Sequence, residues 1–212
     1  LQDLERDLDQ ALALAPPHLS VYHLTIEPNT YFAKFPPRLP DDDAAYAMLD
    51  RVTERTGAAG LGRYEVSAYA RAGHRCAHNL NYWEFGDYLG IGAGAHGKRT
   101  QVADGTARIT RRARQKHPKT YLPHAGGGAA LQEDRIVPAH ELPFEFLMNA
   151  LRLTEGVPSQ LYPERTGLTL ESLAEGRREA EQSGLLQVEP SRLAATERGQ
   201  LFLNDLLQKF LS

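Results

Sequence analysis

The chain has 212 residues, is 42% hydrophobic and 24% charged, and carries a formal net charge of -3. That is enough apolar material for one large domain or two small ones, while 24 basic against 27 acidic residues argues against bulk nucleic-acid binding. A single cysteine excludes an internal disulfide framework and suits a reducing cytoplasm, and no apolar run approaches a membrane span.

Leu1, Leu4, Leu8, Ala11 and Leu12 recur at helical spacing, so residues 1–14 are expected to form an amphipathic helix, stopped at Pro16-Pro17. This start is acidic and helical in pattern, unlike a secretory signal. A chain that opens on Leu in mid-helix reads as a piece of a longer protein. Residues 19–26 read as a buried strand ended by Glu27-Pro28-Asn29. Asp41-Asp42-Asp43 should cap a helix over about 42–58, where carboxylates meet unpaired N–H groups. Gly60 and Gly62 close it, and 63–67 forms a second strand. Helix, strand, helix, strand predicts parallel α/β architecture.

Further on, 97–102 and 107–110 flank Ala103-Asp104-Gly105-Thr106, a hairpin signal with Asp-Gly at the turn. Residues 111–138 look irregular, with Gly126-Gly127-Gly128 as a linker. Helices follow at about 141–154, 158–165, 169–183 and 196–211, the last carrying a core stripe of Leu203, Leu206, Leu207, Phe210 and Leu211. Residues 185–188 and 192–194 fit a short β-wing, giving a winged-helix pattern. Acidic Glu175, Glu179, Glu181 and Glu197 crowd the helices that a DNA reader would need.

The chemistry concentrates between His74 and Gly97. This run holds the only Trp, the only Cys, three of the eight His, and four Gly within eight residues. Gly90-x-Gly92-x-x-Ala95 fits a loose dinucleotide fingerprint, but a hairpin follows where a helix is required. A packed strand or bulge, or a strand edge kept bare for a flat ligand beside His96, fits better. If 74–78 is extended, His74, Cys76 and His78 share a face, although the spacing is not that of a structural zinc site. One histidine beside aromatic rings asks for less, since a single imidazole can be an axial haem ligand. The alternative is a His and a Trp packed under a loop. Glu65, Ser67 and Tyr69 alternate onto one strand face, which either lines an interior or buries a hydrogen-bonded carboxylate. Arg108, Arg111, Arg112, Arg114, Lys116 and Lys119 form either a solvated face or a landing site for carboxylates or an acidic partner.

Four segments carry a family resemblance: 18–30, Tyr64-Glu65-Val66-Ser67-Ala68-Tyr69-Ala70, His78-Asn79-x-x-Tyr82-Trp83, and Gly90-Ile91-Gly92-Ala93-Gly94-Ala95-His96-Gly97. With Pro143–Asn149 and Thr196–Asn204, they resemble the HemW family of radical-SAM haem chaperones, relatives of the oxygen-independent coproporphyrinogen III oxidases, from about residue 1 to 211. The resemblance implies a partial (β/α) barrel with a CxxxCxxC motif holding a [4Fe–4S] cluster and S-adenosylmethionine. This sequence has no such motif, and one Cys cannot hold a cluster that needs several thiolates. The implied fold class is therefore α/β: late barrel strands over 1–102, a hairpin and linker over 103–140, and a mainly helical, winged-helix-like domain over 141–212.

The resemblance assigns His78, Asn79, Tyr82 and Trp83 to haem. It assigns Thr25, Gly92, Gly94 and His96 to S-adenosylmethionine. It implies a cytoplasmic parent that passes haem to haem-requiring respiratory proteins, with no nucleic acid and no transmembrane segment, though with room for contact at the membrane surface. An oxidase that decarboxylates coproporphyrinogen III stays open, as does a winged-helix interaction module. After iron–sulfur reconstitution, the 212-residue chain is expected to leave S-adenosylmethionine intact, and chromatographic detection of cleavage would overturn that expectation.

Overall fold

A computed structural model describes residues 1–103 and 106–211. The chain divides into two compact units, Leu1–Cys76 and Ala77–Ser212.

In the first unit, α1 (Gln2–Ala13) and α3 (Asp42–Ala58) follow the apolar periodicity. The Asp41 carboxylate accepts from the Ala44 amide at 2.8 Å and caps α3 as its sequence requires. Leu8 of α1 and Val52 of α3 pack with Leu61 and Tyr69, and Leu4, Leu12 and Leu19 close around them. Above this core, Glu5 takes Arg51 and Arg55, and Arg55 also takes Asp9. Between the two helices, α2 (Tyr31–Lys34) is a single turn capped by Thr30.

The strands depart from expectation. β1 is only His18–Ser20, and residues 21–27 form no strand. Instead of one strand over 63–67 there is a hairpin, β2 (Gly62–Glu65) and β3 (Ala68–Ala70), turning at Val66-Ser67. The order is β1-β3-β2, with both outer strands antiparallel to β3. β1 and β2 thus point the same way, as helix-strand-helix-strand order implies, but β3 lies between them. β1 stops early because β3 offers only three residues of ladder, His18 to Ser20 facing Ala70 to Ala68.

The second unit opens with α4 (Ala77–Trp83). β4 (His96–Ala103) and β5 (Thr106–Arg114) then form the expected hairpin, paired from His96↔Ala113 to Ala103↔Thr106. The Asp104-Gly105 turn itself lies outside the described residues. The stretch expected to be irregular contains a further strand, β6 (Leu131–Ile136), which pairs with β5. The turn α5 (Pro118–Tyr121) and the triglycine lie between β5 and β6, inside this same unit.

Behind the sheet, α6 (Leu142–Ala150) buries Leu142, Phe146, Leu147 and Ala150. Phe146 meets Phe85 and Tyr162 edge-on, at 5.5 and 5.2 Å between centroids. α7 (Leu161–Thr166) and α8 (Ala174–Gln182) follow. The wing consists of β7 (Val157–Pro158) against β8 (Arg192–Leu193), extended by a bridge between Leu186 and Ala195. The expected last helix is two, α9 (Glu197–Leu201) and α10 (Leu203–Gln208), because Phe202 leaves the helical region at φ -110°, ψ 44°. Leu206, Leu207 and Phe210 are buried as expected, whereas Leu211 is exposed. No helix among the described residues is long and apolar enough to cross a membrane.

α9 packs onto the wing without space for a side chain at Gly199, where a Cβ would stand 1.9 Å from the Leu185 carbonyl oxygen. Gly199→Ala is expected to cost about 1–3 kcal/mol through forced backbone movement, measured as a lower urea midpoint at unchanged slope.

Candidate functional site

The segment carrying His78 is helical, not extended, which removes the geometry that would have put His74, Cys76 and His78 on one face. Among the described residues, no group of three His, Cys, Asp or Glu side chains is placed to hold a metal ion. Helical spacing sorts His78-Asn79-x-x-Tyr82-Trp83 into two rows, His78 with Tyr82 and Asn79 with Trp83, each four residues apart. In the first row, the exposed His78 ring stands edge-on to Tyr82 at 4.7 Å and 87°. Tyr82 in turn meets Tyr88 at 4.3 Å. An imidazole open to solvent therefore begins a stack of three rings.

The second row points inward. Arg152 lies over the Trp83 ring, its guanidinium carbon 4.4 Å from the centroid. The Trp83 indole Nε1 is buried with no hydrogen-bond partner among the described residues. Asn79 is half-buried on the same side.

A helix of seven residues rich in His, Asn, Tyr and Trp has little intrinsic stability, so its end must be fixed from outside. The Gly86 amide donates to the Asn81 carbonyl at 2.7 Å and the Phe85 amide to the Tyr82 carbonyl at 3.0 Å, the pair of bonds that closes a helix through a left-handed residue. That residue is Phe85, at φ +56°, where glycine would be relaxed and a bulky side chain costs on the order of 1 kcal/mol. Its ring is buried at 1% exposure and carries the Lys98 ammonium on its face at 4.2 Å. Lys98 is itself 2% exposed. It donates to the Phe85 carbonyl at 2.9 Å, to Asp87 Oδ1 at 2.8 Å and to Thr100 Oγ1 at 3.1 Å. Asp87 also accepts from the Thr100 amide and hydroxyl, and its carbonyl accepts from Asn81 Nδ2.

The two partners respond oppositely to their surroundings. Burial pushes Lys98 below the usual lysine range against the pull of Asp87. For Asp87, burial raises the carboxyl, but hydrogen bonds from Lys98 and Thr100 outweigh it and hold it below the usual range. With three oxygen acceptors and an aromatic face around it, Lys98 is an ammonium at neutral pH.

Tyr88 completes the strand-side wall. It pairs with Lys98 across the sheet edge, and its hydroxyl accepts from Arg111 Nη1 at 2.9 Å. Arg111 grips Glu145 through Nε and Nη2 at 3.1 and 2.6 Å. Burial pushes the Tyr88 phenol up, so it stays neutral. Sequence reasoning missed Phe85, Lys98 and Tyr88, and only the alternation of Lys98 into a buried row could have flagged one of them.

The remaining expected site residues are dispersed. Thr25 is exposed in the Leu1–Cys76 unit. Gly92 and Gly94, at φ +108° and +72°, shape the turn before β4, and His96 is exposed at the start of that strand. The Gly92 amide donates to the Tyr121 hydroxyl at 3.3 Å and the Gly94 amide to the Gln115 carbonyl at 2.9 Å. These amides are occupied within the protein. Glu65 is buried and accepts from Ser67 at 3.2 Å. Tyr69 shares no strand face with them, because the chain has turned between.

Residues 137–202 match the HemN C-terminal domain. The whole chain is 48% identical to Heme chaperone HemW of Haemophilus influenzae and 46% to Heme chaperone HemW of Escherichia coli, covering 54% of each. It is 31% identical to Heme chaperone HemW of Bacillus subtilis over 55% of that protein. The chain thus spans about half the length of the curated relatives it matches. A solved structure of coproporphyrinogen III oxidase (HemN) from Escherichia coli, described as a radical SAM enzyme, shares the fold, with a TM-score of 0.70 over 97% of this chain and 50% of that one at 17% identity.

Removing the Asp87 charge strands the Lys98 ammonium. Asp87→Asn is expected to destabilise the protein by about 2–3 kcal/mol near neutral pH, below the range for a fully buried pair because Asp87 is partly exposed. Since the folded carboxyl lies below its unfolded value, the wild-type advantage is present above the unfolded pKa and lost as pH falls through the folded one. Urea denaturation across the acid range checks this, and a gap that stays constant to the acid limit would contradict it.

Proposed function

We propose that this chain, HemW-like along its whole length, is part of a radical-SAM haem chaperone and carries that protein's haem contact on α4. The observation that carries the reading is the His78–Tyr82–Tyr88 stack: one exposed imidazole in front of a row of aromatic rings. Haem would bring an iron that takes a neutral imidazole nitrogen and a flat apolar macrocycle. The residues present suit both demands. His78 offers the nitrogen, and Tyr82 and Tyr88 offer ring surface. Trp83 anchors the helix from beneath, with Arg152 holding the indole plane. Asn79 lies beside Trp83 on that inward row. Lys98 and Asp87 fix where α4 ends, and so fix the height of His78 over the sheet.

A [4Fe–4S] cluster does not fit this chain, which has one cysteine where several thiolates are needed. The S-adenosylmethionine contacts proposed for this chain are Thr25, Gly92, Gly94 and His96. The exposed His96 and the left-handed Gly92 and Gly94 support that assignment by leaving a strand end without side-chain cover. We place the parent protein in the cytoplasm, delivering haem to haem-requiring respiratory proteins, with room for peripheral contact at the membrane surface.

In the full-length protein, His78→Ala is expected to weaken haem binding by at least tenfold and to shift the Soret band, while His74→Ala leaves both unchanged. Haem titration by absorbance decides the matter, and an unaltered curve for His78→Ala retires the ligand role.

A further inference from the structure

The basic run from Arg108 to Lys119 is divided by strand alternation. Lys98 faces Arg111 and Gly97 faces Arg112 across the ladder, so Lys98, Arg111 and Tyr88 point to the α6 side. Arg99, Arg112 and Arg114 point to the other. At that edge lies a cavity of about 130 Å³ lined by Leu89, Ile91, Arg99, Arg112 and Arg114, which Tyr88 and Lys98 also reach.

Its charges are unbalanced. Arg112 is matched by Asp134, with both contacts at 3.1 Å. Arg114 spends its Nε on the Gly90 carbonyl at 3.2 Å and has no carboxylate partner among the described residues. Arg99 is exposed and likewise has none. Two guanidinium groups thus converge on one cavity without counter-charge. Beside them, Leu89 and Ile91 are 83% and 85% exposed, an aliphatic pair held out from the sheet edge. Gly97 leaves the floor bare.

We propose that this outer face is a second tetrapyrrole contact, in which Arg99 and Arg114 bind propionate carboxylates and Leu89 and Ile91 support the macrocycle. The ligand's identity rests on the haem reading above. The chemistry does not: an apolar body bearing carboxylates is what the residues require. Guanidinium groups bind carboxylates through paired N–H donors. The cavity volume admits a carboxylate with its methylenes and excludes a macrocycle, which is left to lie on the aliphatic pair. No iron ligand is involved, since His78 is not among the residues that line the cavity.

The test uses the full-length protein with iron-free mesoporphyrin IX and its dimethyl ester, followed by fluorescence, because neither probe can ligate His78. The free acid is expected to bind at least tenfold tighter than the ester. Arg99→Gln/Arg114→Gln should abolish that preference and leave ester binding unchanged, while Arg99→Lys/Arg114→Lys retains part of it. Equal binding of acid and ester by the wild type, or no binding of either, overturns the proposal and leaves the His78 reading standing. Equal loss of both probes in the Gln and Lys variants alike shows that the arginines serve only structure, and also overturns it. His78→Ala is run in parallel: unaltered haem binding there removes the axial-ligand reading, whereas this site is decided by the acid–ester ratio alone.

Discussion

A buried ammonium sets the terms for the second unit. Lys98 enters the interior between sheet and helices, where an uncompensated charge costs several kcal/mol, and its needs dictate what surrounds it. One acceptor must be a carbonyl, and Phe85 supplies it by ending α4 in a left-handed turn. Another must be a carboxylate, and Asp87 supplies it two residues later. The strain at Phe85 is retained because the same residue offers Lys98 both its carbonyl and its ring. Gly86, between them, allows no side chain, since a Cβ there would stand 2.1 Å from Asn81 Oδ1. The aromatic helix therefore ends where the lysine requires, and the motif's geometry is inherited from a residue outside the motif.

This dependence explains what the sequence could and could not reveal. The long elements were legible because their signals are local: apolar spacing in α1, the Asp41 cap on α3, and the strands flanking Asp104-Gly105. α4 was not. Its seven residues show no apolar period, and their helical state follows from the stop at Phe85-Gly86 and the tie to Lys98, both tertiary effects. The hairpin at Val66-Ser67 was hidden for a related reason. Alternation through Tyr64 to Tyr69 looks the same whether the chain runs straight or folds back, and no glycine marks the turn. β6 was missed because its charged residues, Glu133, Asp134 and Arg135, read as loop, although Asp134 pairs across the sheet with Arg112 and Arg135 pairs with Glu145 of α6.

The basic stretch shows how a compositional signal gains meaning only from register. As a run of six cations it favours no function over a solvated face. Pairing in the sheet assigns each member a side. Arg111 turns inward and closes a network through Glu145 to Arg135 and Glu141. Its neighbours on either side, Arg112 in particular, turn outward. One residue of slip would exchange the two sets, burying arginines without partners, so the network at Glu145 also specifies the outer face.

The two cofactor assignments differ in what they ask of the chain. Every residue in the haem reading, from His78 to Lys98, belongs to the Ala77–Ser212 unit, and the contacts that order them are internal to it. The S-adenosylmethionine set has Thr25 in one unit and Gly92, Gly94 and His96 in the other. The cluster thiolates that would complete it are absent from this sequence. A site built from one unit is fixed when that unit folds. A set drawn from both units is not ordered by the internal contacts of either one. On these grounds the proposed haem contact rests on one unit alone: it requires the α4 helix and its lysine anchor.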